Sequence, residues 1–287
     1  MKLKNFLILL GIVLFSTSVQ AGRVFRDSID SRVLGEVRHF SIYLPDAFFA
    51  QQERHFPILY LLHGLSHDDR AWTQKGQMER VCDLQMASGE AVPMVVVTVE
   101  AGGPDIKKHW NGYFNMDGWQ FETFFFEEFL PAVEKKYRCG GDKNQRAIAG
   151  LSMGGGGSVS YAQRHTDLFS SCYAMSAWLR QDDHLQSRGH LESDRFKILA
   201  EAVHNLDCVR FVAEADKERC AELRTVAWFI DCGDDDFLLQ QSLELYGQMR
   251  LHGIGAQLRV RDGAHTWEYW HTALLQCLPF ASRNFSH

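Results

Sequence analysis

Apolar residues in this chain gather in short runs of strand length, at 40–44, 58–62, 94–99, 146–149, 171–175, 226–231 and 257–260. Between several of these runs, apolar positions recur at three- and four-residue intervals. That spacing predicts helices over 121–137, 158–165, 238–251 and 267–278. Strands alternating with helices predict an α/β protein with a mostly parallel central sheet and helices on both faces. No helical spacing separates the strands between about 24 and 44, so that edge of the sheet is expected to be antiparallel. The stretch 178–225 breaks the alternation. It is polar and charged, with helical spacing near 194–205 and 209–223. Lying between two core strands, it is expected near their carboxyl ends, where ligands bind in open α/β sheets. It is a candidate cap or lid, and an inert surface insertion fits the pattern equally.

The N-terminus follows a different pattern. Lys2 and Lys4 precede an apolar run over 6–15, and small and polar residues follow, ending Val19-Gln20-Ala21. This reads as a secretory signal over 1–21, with the mature chain beginning at Gly22 and a periplasmic or secreted location. The apolar run is too short to span a bilayer comfortably, so an uncleaved anchor is the lesser reading. The remaining 22–287 suffice for one core, since the 287 residues are 46% hydrophobic and no Pro/Gly/Ser-rich linker divides them. Formal charge is −6, and removing two lysines takes it to about −8. An acidic chain without a basic run suits neither nucleic acid nor, after signal cleavage, an anionic membrane surface. Neutral or sugar-based substrates fit better. Seven cysteines leave at least one thiol free or paired between chains. Cys172 and Cys232 lie in apolar runs as core residues, whereas Cys208 and Cys220 flank a polar helical segment and are candidates for a disulfide.

The clearest chemistry lies at Gly150-Leu151-Ser152-Met153-Gly154, a G-x-S-x-G pattern directly after a strand-like run. A strand that breaks into glycines around one serine predicts a nucleophile elbow, a turn sharp enough to hold the serine Oγ clear of the sheet. The glycine run Gly154-Gly155-Gly156-Gly157 belongs to this motif and not to a linker. A serine hydroxyl needs an imidazole to take its proton and an acid to hold that imidazole in the right tautomer. In chain order after the serine come two strand-to-turn junctions, Asp234-Asp235-Asp236 after the run at 226–231 and Gly263-Ala264-His265 after the run at 257–260. His265 alone of the thirteen histidines combines a post-strand turn, a preceding Gly-Ala and a following aromatic helix. The three consecutive aspartates leave the acid open, and such a run also reads as a solvated turn with a helix N-cap. Backbone N–H groups of Met153 and of Leu65, in the strand-to-loop segment ending His63-Gly64-Leu65, are the candidate oxyanion donors. His63 and His67 are four residues apart, but at a strand-to-loop junction and without a nearby third ligand, so no metal is expected.

Four segments carry a family resemblance: Leu62-His63-Gly64-Leu65, Gly150 to Gly155, Cys232 to Leu238 and Gly263 to Trp267. Together they resemble the esterase D / feruloyl esterase family of α/β-hydrolases, which also holds acetyl xylan esterases, S-formylglutathione hydrolases and mycolyltransferases. The segment at 121–131 is similar to that family's helix before the nucleophile strand, and the likeness extends over about 33–278. The resemblance implies an α/β-hydrolase fold, Ser152 as nucleophile, His265 as base and Leu65 and Met153 as oxyanion donors. It also implies Asp236 as the acid, because the family's acid stands third after the glycine.

The expected activity is hydrolysis of a carboxylic ester through an acyl-enzyme, without a cofactor. Export disfavours a cytosolic thioester substrate and suits feruloyl or acetyl esters of plant polysaccharide. Trp110, Trp178 and Trp267 stand near loop ends, where they would line a cleft for an aromatic acid or a sugar, although packing is the commoner role of tryptophan. An acyltransferase that passes the acyl group to a sugar alcohol shares the same first half-reaction. A non-catalytic binding protein on the same fold would have no use for an intact Ser, Asp and His set. Disulfide pairing and oligomeric state are not decided by these patterns.

Overall fold

The computed structural model describes residues 21–181 and 193–286. The signal reading at 1–21 and part of the cap reading therefore fall outside the described residues. The strands are β1 (Arg23–Ser31), β2 (Glu36–Leu44), β3 (Ile58–Leu62), β4 (Val95–Val99), the short pair β5 (Asn115–Met116) and β6 (Trp119–Gln120), β7 (Arg146–Leu151), β8 (Ser171–Met175), β9 (Ala227–Gly233) and β10 (Ala256–Arg261). Eight of them form one sheet in the order β1-β2-β4-β3-β7-β8-β9-β10. β2 pairs antiparallel with both β1 and β4, and the remaining neighbours are parallel. Every residue of β3, β4, β7 and β8 is buried, which is why these strands read as mostly apolar runs. At the edge, β10 has no fully buried residue.

Helices cover both faces. After two short helices, α1 (Asp46–Ala50) and α2 (Ala71–Gln74), comes α3 (Met78–Ala87). It packs Val81 and Cys82 on one face of the sheet together with Leu274 and Leu278 from the C-terminal helix. The other face carries α4 (Phe121–Phe124), α5 (Leu130–Tyr137) and α6 (Met153–Arg164), with Phe125, Phe129, Val133 and Val159 in its core. The expected single helix over 121–137 contains a π turn at Phe125–Phe129. Pro131 stands just past it, in the first turn of α5, where its missing N–H costs no intrahelical bond.

The helix after the serine starts at Met153 and not at 158, because the four glycines are helical. Glycine is a poor helix former in isolation. Here a Cβ at Gly156 would lie 2.0 Å from the Trp178 carbonyl oxygen, so close packing of α6 decides the residue.

In the polar stretch, α7 (Asp194–Asn205) matches its expected bounds, whereas the helix expected over 209–223 is two: α8 (Cys208–Ala213) and α9 (Lys217–Leu223). The side chains of Asp207 and Asp216 accept N–H bonds at the two helix starts, and the second cap restarts the helix. These helices are tied into the body of the domain. Phe196 stacks on Trp178 at 6.1 Å, and Gln163 donates to the Cys208 carbonyl. The candidate Cys208–Cys220 bridge is not formed. All seven thiols are free and buried, with Cys208 Sγ 3.8 Å from Gly156 O and Cys220 Sγ 3.6 Å from His252 Nδ1. Two further helices, α10 (Leu239–Leu251) and α11 (Trp267–Arg283), follow β9 and β10. No helix among the described residues is long and apolar enough to cross a membrane.

Register places the site. Leu62 pairs with Gly150, Leu151 with Met175, Met175 with Asp231 and Asp231 with Arg259. The loops leaving β3, β7, β8, β9 and β10 therefore emerge side by side at one end of the sheet.

Candidate active site

Ser152 sits between β7 and α6 with φ 53° and ψ −118°. A non-glycine residue in this region is strained and persists only where its surroundings hold it. They do: the Ser152 N–H donates to Met175 O, and Ser152 O accepts from the N–H groups of Gly156 and Trp178. The motif glycines answer a close approach. A Cβ at Gly150 would stand 2.3 Å from Gly154 O, and one at Gly154 would stand 2.5 Å from His63 O.

Ser152 Oγ lies 2.9 Å from His265 Nε2, and His265 Nδ1 lies 3.0 and 2.9 Å from the two carboxylate oxygens of Asp236. With Nδ1–H donating to the carboxylate, Nε2 is left to accept the hydrogen bond of the Ser152 hydroxyl. Burial pushes the Asp236 carboxyl upward. The hydrogen bond and charge of His265, the Leu238 N–H and the Ser176 hydroxyl outweigh it and hold the group below the usual carboxylate value.

Asp234 and Asp235 have other tasks. Asp234 N donates to Arg261 O, its carboxylate accepts from Gly263 N, and Asp235 N donates to Gly263 O. These bonds zip the turn after β9 to the turn after β10 and bring Asp236 under His265. The turn-and-cap reading of the run also has substance, since Asp236 Oδ1 accepts the Leu238 N–H just before α10.

Met153 is the first residue of α6, so its N–H has no partner one turn back in the helix. The loop after β3 runs against the serine, with an ideal Cβ on Gly64 only 3.5 Å from Ser152 Cβ. His63 organises this loop. Ala101 N–H donates to its Nε2 at 3.0 Å, which leaves the proton on Nδ1 to donate to Gly64 O at 2.9 Å. Burial lowers the His63 pKa, so the ring stays neutral. Because a trans peptide points C=O and N–H in opposite directions, a grip on Gly64 O sets the direction of the Leu65 N–H. Both nitrogens of His63 are thus engaged within the fold. His67 is pushed down to about 4 by burial and by neighbouring His63 and Lys75.

The three tryptophans occupy different places. Trp178 holds the elbow through its backbone N–H, while its ring is buried against Phe196. Trp267 packs edge-on against His67, Trp72 and Trp270. Trp110 stacks with Trp119 at 6.3 Å, and the Arg195 guanidinium lies 5.3 Å from its ring. Sequence reasoning passed over two aromatics that touch the His265 ring directly. The Trp270 ring meets His265 edge-on at 4.8 Å and donates Nε1–H to Ser176 Oγ, and the Phe237 ring lies 4.6 Å from His265 while 43% exposed. The only signal for Phe237 was its place directly after Asp236.

Known proteins resemble this chain at several levels. A solved ferulic acid esterase is 49% identical, superposes with a TM-score of 0.87, and the match covers 92% of this chain and 99% of that one. An endo-1,4-beta-xylanase/feruloyl esterase of Xylanibacter ruminicola is 28% identical over 159 residues, 54% of this chain. The match takes in 22% of that relative, so the chain spans about a fifth of its length. An acetyl esterase of Caldicellulosiruptor saccharolyticus is 21% identical over 238 residues, covering 78% of this chain and 83% of that protein. The family model described as "Putative esterase" matches residues 31–281, and with the sheet and the hydrogen-bonded serine, histidine and aspartate now in place, this chain belongs to that Esterase family.

Proposed function

We propose that the protein is an exported serine carboxylic-ester hydrolase that works through an acyl-enzyme on feruloyl or acetyl esters of plant polysaccharide. The observation that carries the reading is the hydrogen-bonded line from Ser152 Oγ through His265 to the buried Asp236 carboxylate. The similarity to a ferulic acid esterase and to an acetyl esterase supports the substrate class. The signal-like pattern over 1–21 supports export.

In the first half-reaction Ser152 Oγ attacks the ester carbonyl carbon as His265 Nε2 takes its proton. The carbonyl oxygen becomes an oxyanion held by the N–H groups of Leu65 and Met153, each such donor being worth about 3–4 kcal/mol of barrier. The bond to the alcohol oxygen then breaks, and His265 returns the proton to that oxygen. Water, deprotonated by the same nitrogen, attacks the acyl-enzyme. The acid leaves and Ser152 recovers its proton. Throughout, Asp236 stays ionised and keeps the imidazole in the Nδ1–H tautomer.

The test is Ser152→Ala assayed on 4-nitrophenyl acetate and methyl ferulate, with a thermal melt as folding control. Loss of about 10⁴-fold or more in kcat at an unchanged Tm is expected. A folded variant that still cleaves at a comparable rate overturns the assignment. Rates on methyl ferulate, acetylated xylan and aryl acetates rank the acyl group. Faster acyl transfer to an added sugar than to water would replace hydrolase by transferase.

A further inference from the structure

Ser66, the residue after the Leu65 donor, has φ 63° without being a glycine. Its backbone N–H donates at 3.0 Å to Oδ1 of Asn111, which lies 45 residues further along the chain. Asn111 is 4% exposed, and its side chain is anchored from its other end, where Nδ2 donates to Gly103 O at 3.2 Å and to His109 O at 3.3 Å. A buried amide with all its bonds directed at loop backbone is a specific feature, since burying such a group is favourable only when it is paired.

The geometry of the two peptide planes at Leu65 gives this contact a function. His63 grips Gly64 O and so fixes the plane that carries the Leu65 N–H. Asn111 grips the Ser66 N–H and so fixes the next plane. With one plane held on each side of its Cα, the Leu65 N–H is not free to reorient. Ser66 itself would leave its left-handed conformation if that hold were released.

Resting on the esterase reading above, we propose that Asn111 is a positioning residue of the oxyanion hole, acting through the Ser66 backbone to aim the Leu65 N–H. Preorganised donors are effective because they need no reorientation as the oxyanion forms. Loss of Asn111 should therefore weaken binding of the oxyanion and leave the ground-state ester bound as before.

The experiment compares Asn111→Ala in the otherwise natural chain and in a Ser66→Gly background, with Ser66→Gly alone as the baseline of the second pair. Glycine adopts the Ser66 conformation without strain, so the loop then needs the asparagine less. Asn111→Ala is expected to lower kcat for 4-nitrophenyl acetate by about 10- to 100-fold, less than the loss of a donor outright. KM should stay within about twofold, and inhibition by a phenylboronic acid should weaken in step with kcat. In the Ser66→Gly background the same substitution should cost at least about threefold less in kcat. Asn111→Ser carries the same expectations should the alanine variant not fold. An unchanged kcat overturns the proposal, as does an equal fold-loss in both backgrounds, because the side chain would then not act through Ser66. If Ser152→Ala is inactive while Asn111→Ala is as fast as the natural chain, only this proposal fails. If Ser152→Ala remains active, the esterase reading fails and takes the proposal with it.

Discussion

Replacing Asp236 by asparagine removes one charge and almost no volume. The Leu238 N–H keeps an oxygen acceptor in the variant, so the fold should survive. The chemistry should not. In the proposed mechanism His265 takes the serine proton, and its ring becomes a cation beside a carboxylate whose oxygens lie 2.9 and 3.0 Å from Nδ1. Taking about 4 Å between charge centres and an effective dielectric near 20, the lost attraction is about 4 kcal/mol, or about 10³ in rate. An amide can also present N–H to Nδ1, which forces the proton onto Nε2 and leaves no base for Ser152; enforcing that wrong tautomer costs about 10⁴. The expected loss in kcat is therefore about 10³- to 10⁴-fold. Asp235 is exposed, so Asp235→Asn should stay within about twofold. Initial rates with 4-nitrophenyl acetate at saturation, beside thermal melts of both variants, give the comparison. A folded Asp236→Asn within tenfold of the natural chain, or an equal loss in Asp235→Asn, would refute the reasoning.

Three further outcomes follow from packing and charge. Gly156→Ala should destabilise by about 3 kcal/mol, because its Cβ would meet the Trp178 carbonyl at 2.0 Å, while Gly247→Ala in α10, with open space around it, should stabilise by about 0.5–1 kcal/mol; urea midpoints that move together would contradict this. The buried free thiols should resist Ellman's reagent in the native state and all seven should react after unfolding, whereas a missing pair in denaturant without reductant would indicate a disulfide. Burial depresses both His63 and His67, the latter to about 4, below an unfolded value near 6.5. The His67 contribution to stability is thus whole above about pH 6.5 and lost as pH falls toward about 4, because the unfolded chain binds the proton first, and that of His63 is lost in the same direction. His67→Gln should flatten the stability profile in that window, and superimposable profiles would show that His67 contributes nothing.

Much of this architecture was legible in the chain. Strand runs at 58–62 and 171–175 coincide with β3 and β8 because strands buried on both faces are mostly apolar. The antiparallel edge followed from the missing crossover helix. Serine between glycines after a strand and histidine after a later one are local patterns, and sequence reports local patterns well. Two helix bounds differ for different reasons. The glycine run is helical because of what lies across from it, whereas the stretch over 209–223 is divided by the local Asp216 cap, whose aspartate the helical spacing alone does not weigh.

What the sequence by itself determined was the kind of chemistry and the order of its parts along the chain: a serine elbow, then an acidic turn, then a histidine turn. Tertiary structure alone decided the contacts among them. Ser152 and His265 are 113 residues apart, and Asn111 and Ser66 are 45 apart. Such distances close only when parallel register aligns the carboxyl ends of the strands. The Phe237 and Trp270 rings against His265, the zip between the turns after β9 and β10, and the two held peptide planes at Leu65 depend on that alignment. A hydrogen bond is set by geometry at the scale of tenths of an ångström, and the order of residues supplies such geometry only after the chain has packed.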